Sequence, residues 1–284
     1  MTQALHRSYL YVPANDGRRV AKAYASGADA IILDLEDAVP PDRKDAARAA
    51  ARELLADRPP KPTYVRVNGF ASRRAAADIA AIAHGEVAGI RLPKCEGPEQ
   101  VRRAARASGG LPLHLLIESA TGVELAYTLA TASDSVAGIS LGEADLRADL
   151  RAGPQVDNAT LDFARGRVVV AGRAAGLPPP VQSVFTAVRD LDGLRASCVR
   201  GRAMGFHGRS AIHPAQLDVI NGVFTPTDDE IADARALIDA LSVAESQGRG
   251  ASVTAAGRFV DEAVVASARR TLELAHAYGG ETIS

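Results

Sequence analysis

Two acids define the chemistry this chain could carry. Within the stretch Leu113 to Asp149, Glu118 follows the apolar run LHLLI and Asp145 follows the apolar run VAGISL, with a helix-like segment between the runs. Short continuous apolar runs read as strands buried on both faces, the habit of parallel sheets. If the two strands are parallel neighbours, both carboxylates emerge at the same end of the sheet. Two oxygen donors side by side make a site for a hard cation.

The elements that must position such a pair recur along the whole chain. β-like runs alternate with Ala-rich and Arg-rich helical stretches: SYLYVP from Ser8, DAIILDL from Asp29, TYVRVN from Thr63, GIRLPK from Gly89, LHLLIE from Leu113, VAGISLG from Val136, VQSVF from Val181 and GRSAIHP from Gly208. Eight βα alternations without a compositional break predict an α/β chain closed into a (β/α)8 TIM barrel rather than an open doubly wound sheet. Barrel sites are assembled at the C-terminal ends of the strands. Those ends carry Asp34, Glu36 and Asp37 in DLED, Arg66 and Asn68 in VRVN, and Lys94 in LPK. Glu118 in IES, Asp145 in GEAD, Gln182 in PVQ and His213 in IHP continue the series. A purely structural chain has little reason to deliver polar groups there so regularly. In DLED, strand alternation points Asp34 and Glu36 to one side, where neighbouring acids can tune each other's protonation or orient Arg66.

After the eighth strand the pattern changes. Thr227 followed by Glu230 forms a capping box for a helix that should end near Gln247. Gly248 and Gly250 offer a hinge, and GRFVDEAVVASARRTLELA from Gly257 reads as a turn feeding an amphipathic terminal helix. The expected organisation is a barrel over residues 1–225 and a C-terminal helical extension over 226–284, acting as a lid or packing on a neighbouring subunit.

Composition narrows the functional classes. With 284 residues and 47% hydrophobic side chains, the chain can bury roughly three quarters of its unfolded surface in one large core. A net charge of -1 provides no basic face for a phosphate backbone, so nucleic acid is not an expected partner. Lysine occurs at Lys22, Lys44, Lys61 and Lys94 only, and the other basic residues are arginines, which makes a single Arg weak evidence. The start, MTQALHRSYL, lacks a leader pattern and no run is long enough to span a bilayer, so the expected compartment is the cytoplasm. Cys95 and Cys198 stand alone, without CxxC or a matching His pattern, and read as structural. No GxGxxG or Walker-type loop follows a strand.

The segments RSYLYVPAN, GADAIILDLEDAV, YVRVNGF, RLPKCEGPEQV, LLIESATGV, SLGEADLRADL and GFHGRSAIHPAQLDVINGVFTPT together resemble the citrate lyase β-subunit-like proteins, a group within the wider HpcH/HpaI aldolase family of malyl-CoA and citramalyl-CoA lyases and thioesterases. The resemblance covers nearly the whole chain, in order. It implies a (β/α)8 barrel that uses Mg²⁺ and works on carbon–carbon bonds β to an acyl thioester: a lyase, condensing enzyme or thioesterase for a short 3-hydroxyacyl-CoA dicarboxylate such as malyl-CoA or citramalyl-CoA. A citrate lyase β subunit acting on a carrier-bound citryl thioester, a free-acid metal-dependent aldolase and a non-catalytic partner protein are the alternatives.

Carried over residue by residue, the resemblance puts Mg²⁺ on Glu118 and Asp145. It makes Arg66 a substrate-binding and catalytic residue that holds enolate charge, although an Arg at that strand end could also pair with Glu36 or Asp34. Glu36 supports catalysis, and Asp34 and Asp37 flank the substrate. Arg7 and Lys22 match positions near the bound thioester, where basic groups could meet coenzyme A phosphates. Asp261, in a stretch resembling the family's GxMxD, is implied to transfer a proton in a neighbouring subunit's site, which makes a trimer or hexamer the expected assembly; capping of the last helix is the alternative. Glu143 and Asp149 match no ligand and are expected to support the site or lie at the surface. The family's GFxGKxxIHPxQ appears with Arg209 for lysine and Ser210 where an aromatic is frequent, and Phe259 replaces a methionine. These departures bear on acyl-chain choice and coenzyme A contacts, and His213 is expected to pack at the barrel end.

Overall fold

The computed structural model describes residues 5–83, 85–153, 161–254 and 257–279. Residues 1–4, part of the start examined for a leader, lie outside them.

All eight expected strands form: β1 (Ser8–Pro13), β2 (Ala30–Asp34), β3 (Thr63–Arg66), β4 (Gly89–Leu92), β5 (Leu113–Ile117), β6 (Val136–Leu141), β7 (Val181–Gln182) and β8 (Gly208–Ala211). They pair in parallel in the order β6-β5-β4-β3-β2-β1-β8-β7. The remaining edges, β6 and β7, lie side by side at a seam without a ladder, and the Glu143 N–H spans it to Ser183 Oγ at 3.1 Å. The result is a nearly closed (β/α)8 barrel. β2 shows why the runs are apolar throughout: all five residues of AIILD are buried, because one face lines the barrel and the other meets the helices.

The helices between the strands are α1 (Gly17–Tyr24), α2 (Lys44–Leu54), α3 (Ala75–Ile82), α4 (Pro98–Ala107), α5 (Ala120–Glu124), α6 (Ala126–Ala130), α7 (Glu143–Asp149), α8 (Asp162–Ala174) and α9 (Leu191–Ala203). Their starts are marked by side-chain acceptors that satisfy otherwise unpaired N–H groups: Asp16 for α1, Ser119 for α5 and Asp190 for α9. Inside the barrel, His114 fits because its neighbours are glycines. A Cβ at Gly138 would lie 2.9 Å from its Nδ1, and one at Gly89 3.1 Å from its Cδ2.

The chain divides into two compact units, Met1–Asn221 and Gly222–Ser284, with the division falling inside α10 (Leu217–Phe224). The second unit holds α11 (Asp228–Ser246), the antiparallel pair β9 (Ser252–Val253) and β10 (Phe259–Val260), and α12 (Glu262–Gly279). Thr227 and Glu230 form the expected capping box of α11. Leu237 and Leu241 of α11 pack with Val260 and Val265 in a core of this unit's own. Gly248, read from sequence as a hinge, ends α11: its φ of +73° lets the backbone N–H of Arg249 return to Ala244 O at 2.9 Å. No helix among the described residues is long and apolar enough to cross a membrane.

Candidate active site

The strand order brings β5 next to β6, so the two acids reached from sequence do emerge together at the C-terminal end of the barrel. Glu118 directly follows β5, and Asp145 sits in the first turn of α7, which begins two residues after β6. Both line a cavity of about 380 Å³ with Arg66, Arg91, Ser140 and Ser210. Glu118 is 6% exposed and presses against the backbone of Gly142, where a Cβ would lie 2.4 Å from its Oε1. Its Oε2 accepts the backbone N–H of Lys94 at 2.8 Å. Burial pushes the Glu118 carboxyl up to about 7, and the charges of Glu36 and Asp145 push in the same direction. Among the described residues no cluster of three or more His, Cys, Asp or Glu side chains could hold a metal. Two carboxylates with room for water and substrate oxygens suit Mg²⁺, which retains several waters.

Arg66 faces this pair at the end of β3. Its Nε and Nη2 grip both oxygens of Asp34, at 2.7 and 2.6 Å, across the β2–β3 register that sets Asp34 opposite Arg66. Its Nη1 donates to Asp37 at 3.2 Å and lies 3.1 Å from Glu36 Oε2. Burial would weaken the charged form, but the Asp34 carboxylate more than offsets this and raises the guanidinium pKa above its ordinary value. Asp34 is itself fixed by the N–H groups of Glu36 and Ala38, at 2.9 and 3.1 Å. DLED therefore orients Arg66, while Arg66 still fronts the cavity: pairing and site membership hold together.

Glu36 is the hub of a second link. Its Oε1 accepts from Lys94 Nζ at 2.8 Å, whereas Oε2 is buried without a hydrogen bond, near Arg66 Nη1 but out of line for one. Burial raises its pKa, and Arg66 and Lys94 act against that rise. Lys94 thus ties Glu36 through its ammonium and Glu118 through its N–H. It does so from a left-handed backbone, φ 55°, uncommon outside glycine.

A second cavity of about 510 Å³ adjoins the first, sharing Tyr11 and Ile212, and is lined by Pro13, Arg19, Lys22 and His213. Lys22, in the last turn of α1, therefore lines a cavity that adjoins the first. Arg7 does not. It precedes β1, at the opposite end of the barrel, and its Nε and Nη2 hold Asp29 at 2.9 and 2.7 Å. The expectation for Arg7 is corrected accordingly: a residue at the start of a strand sits a full strand length from residues at strand ends. His213 also departs from expectation, since it is exposed and its Nδ1 accepts from Ala215 N at 3.2 Å, capping the turn Pro214–Gln216.

Gln182 also lines the first cavity, whereas three further groups near the strand ends hold other parts of the chain. Asn68 donates to Asp78 at 2.6 Å, Glu143 takes both Nε and Nη2 of Arg165, and Asp149 caps α5 through Ala120 N. Arg209 points into the layer under α9, with Nη1 2.9 Å from Ser197 Oγ. Its exchange for lysine therefore concerns packing, and only Ser210 of that pair lines the cavity. Cys95 and Cys198 are buried free thiols whose pKa values burial raises. In the second unit, Asp261 Oδ1 accepts from Val264 N at 3.0 Å and so caps α12.

Arg91 escaped the sequence reading. It is masked by the abundance of arginines and lies mid-strand rather than at a strand end. A charged residue at an inward position of an otherwise apolar strand, alternating with Gly89, was the available signal.

A family model described as HpcH/HpaI aldolase/citrate lyase matches residues 7–214. A (3S)-malyl-CoA thioesterase of Cereibacter sphaeroides is 39% identical, covering 95% of each chain. The citrate lyase subunit beta of Leuconostoc mesenteroides subsp. cremoris is 35% identical, over 97% of this chain and 95% of its own. Among solved structures, protein CitE from Mycobacterium tuberculosis in complex with magnesium, acetoacetate and coenzyme A superposes with a TM-score of 0.82 at 32% identity, covering 98% of this chain and 100% of that one.

Proposed function

Since the chain belongs to the HpcH/HpaI aldolase/citrate lyase family, we propose that it is a Mg²⁺-dependent carbon–carbon lyase or condensing enzyme, with thioester hydrolysis as a following step, for a short 3-hydroxyacyl-CoA that carries a distal carboxylate. Malyl-CoA and citramalyl-CoA are the reference substrates. The observation that carries the reading is the Glu118–Asp145 pair sharing one cavity with Arg66, beside a second cavity edged by Arg19 and Lys22. The acyl group belongs in the first, and the basic rim of the second suits coenzyme A phosphates.

Glu118 and Asp145 would hold the Mg²⁺, whose chemistry there is polarisation of substrate oxygens. Cleavage removes the proton of the 3-hydroxyl, breaks the C2–C3 bond to release an oxo acid, and leaves negative charge on the thioester oxygen until C2 is protonated. Arg66, fixed by Asp34 before substrate arrives, is the donor set against that charge. A preorganised donor at such a position contributes about 3–4 kcal/mol. Glu36 and Asp37 keep Arg66 and Lys94 in place. Asp261, supplied by a neighbouring copy in a trimer or hexamer, is the proton carrier in this reading, with the cytoplasm as its compartment.

The test is a Mg²⁺-dependent screen of acyl-CoA thioesters with product identification. Acetyl-CoA or propionyl-CoA with an oxo acid is the expected product pair. No turnover of any thioester by a metal-loaded, folded chain would sink the reading. Identity to a citrate lyase subunit beta favours one second reading, a carrier-protein-bound citryl thioester, which turnover of free coenzyme A esters would exclude.

A further inference from the structure

Arg91 sits inside the barrel, 2% exposed, between Arg66 of β3 and His114 of β5 in the strand register. It lines the same cavity as Glu118 and Asp145, but from deeper in, since its register partner His114 lies four residues before Glu118. The two guanidiniums of this cavity have opposite surroundings. Arg66 meets Asp34, Glu36 and Asp37. The Arg91 side chain has no ion pair or hydrogen bond among the described residues, and its Nε is buried without a partner.

The contact it does make is with Tyr9, whose ring centroid is 4.9 Å from its Cζ. A cation–π contact compensates only part of the hydration that a buried guanidinium gives up. His114 cannot offset that charge, since an imidazole is either neutral or cationic; burial and the Arg91 charge keep it neutral, with its pKa pushed down to about 3. Around the cavity, the facing strands present Ser140 and Ser210, small groups that leave the guanidinium open to whatever enters.

We propose that Arg91 is a substrate-binding residue that receives a carboxylate reaching down into the barrel from the reacting carbon. With the proposed substrate class, this is the distal carboxylate of the acyl group, and that identification rests on the reading above. A planar fork with free N–H groups binds a carboxylate bidentately. Arg91 therefore makes the enzyme select dicarboxylic acyl groups over acyl chains that end in a methyl. It plays no part in proton transfer.

The test uses free acids, so it needs no thioester turnover. Malate and 3-hydroxybutyrate differ by a carboxylate in place of a methyl, and their affinities for the Mg²⁺-loaded full chain are measured by calorimetry. Wild type is expected to prefer malate by at least tenfold. Arg91→Met fills similar space against Tyr9 without burying a polar group; Arg91→Gln is the second variant. Either is expected to reduce the preference at least tenfold, leaving 3-hydroxybutyrate and Mg²⁺ affinities within about twofold. An unchanged preference overturns the proposal, and so does failure of both variants to fold, since the guanidinium would then be a requirement of the fold. Loss of preference in a chain that turns over no thioester sinks the lyase reading and leaves this one standing. Turnover with an unchanged preference does the reverse.

Discussion

The carboxylate of Glu118 occupies space that any side chain at residue 142 would need: a Cβ there would lie 2.4 Å from Glu118 Oε1 and 2.4 Å from its Cγ. Glycine at this position is what allows the acid just after β5 to press against the start of α7. Gly142→Ala should displace Glu118 and weaken Mg²⁺ binding at least tenfold by calorimetry. Thermal stability should change far less than for a core substitution, because the clash is at the cavity wall.

The raised Glu118 pKa makes metal affinity depend on pH. Its folded value of about 7 stands above an unfolded value of roughly 4.3, so the metal-free fold holds a proton that the unfolded chain releases in that window. Its contribution to stability is therefore full below the unfolded pKa and is lost as pH rises through the folded one. Mg²⁺ needs the ionised form, so apparent affinity should fall roughly tenfold per pH unit below 7. Calorimetry between pH 5.5 and 8 checks this. A flat profile would mean that Glu118 is not a ligand.

Arg66→Lys keeps a positive charge but cannot grip both oxygens of Asp34 as Nε and Nη2 do. We expect kcat to fall about a hundredfold, on the scale of a lost preorganised donor, with Mg²⁺ affinity within threefold of wild type. A loss confined to KM would reassign Arg66 to ground-state binding.

Lys22 is exposed at the rim of the second cavity. Lys22→Ala should raise KM for acyl-CoA several-fold and leave kcat intact, with the effect shrinking at high salt because exposed charges are screened. Arg7→Ala should instead lower the melting temperature through loss of the Asp29 pair, with KM unchanged. Steady-state kinetics and thermal melts separate the two.

Asp261 caps α12 through Val264 N, and asparagine caps as well as aspartate. Asp261→Asn is therefore expected to keep the melting temperature while activity falls about 10²–10⁴-fold, the range of a lost general acid. Mixing Asp261→Asn with Arg66→Ala chains should restore part of the activity if the residue acts across subunits. Full activity in the asparagine variant would leave Asp261 with capping alone.

What the sequence determined by itself was set by neighbours in the chain. Eight apolar runs became eight strands, Thr227 and Glu230 capped α11, and the DLED, IES and GEAD acids fell at strand ends, because period, capping and strand polarity are local properties. Tertiary structure decided everything that depends on strand register and on which face a residue takes. It put Asp34 opposite Arg66 and pressed Glu118 onto Gly142. It sent Arg7 to the far end of the barrel, turned Arg209 outward toward α9, and left Arg91 buried in the cavity without a counter-charge. The physical reason is that a guanidinium's role follows from which acids the folded chain brings within hydrogen-bond reach. In a sequence with this many arginines, only the nearly closed barrel distinguishes Arg66, held by acids, from Arg91, which faces the same cavity without one.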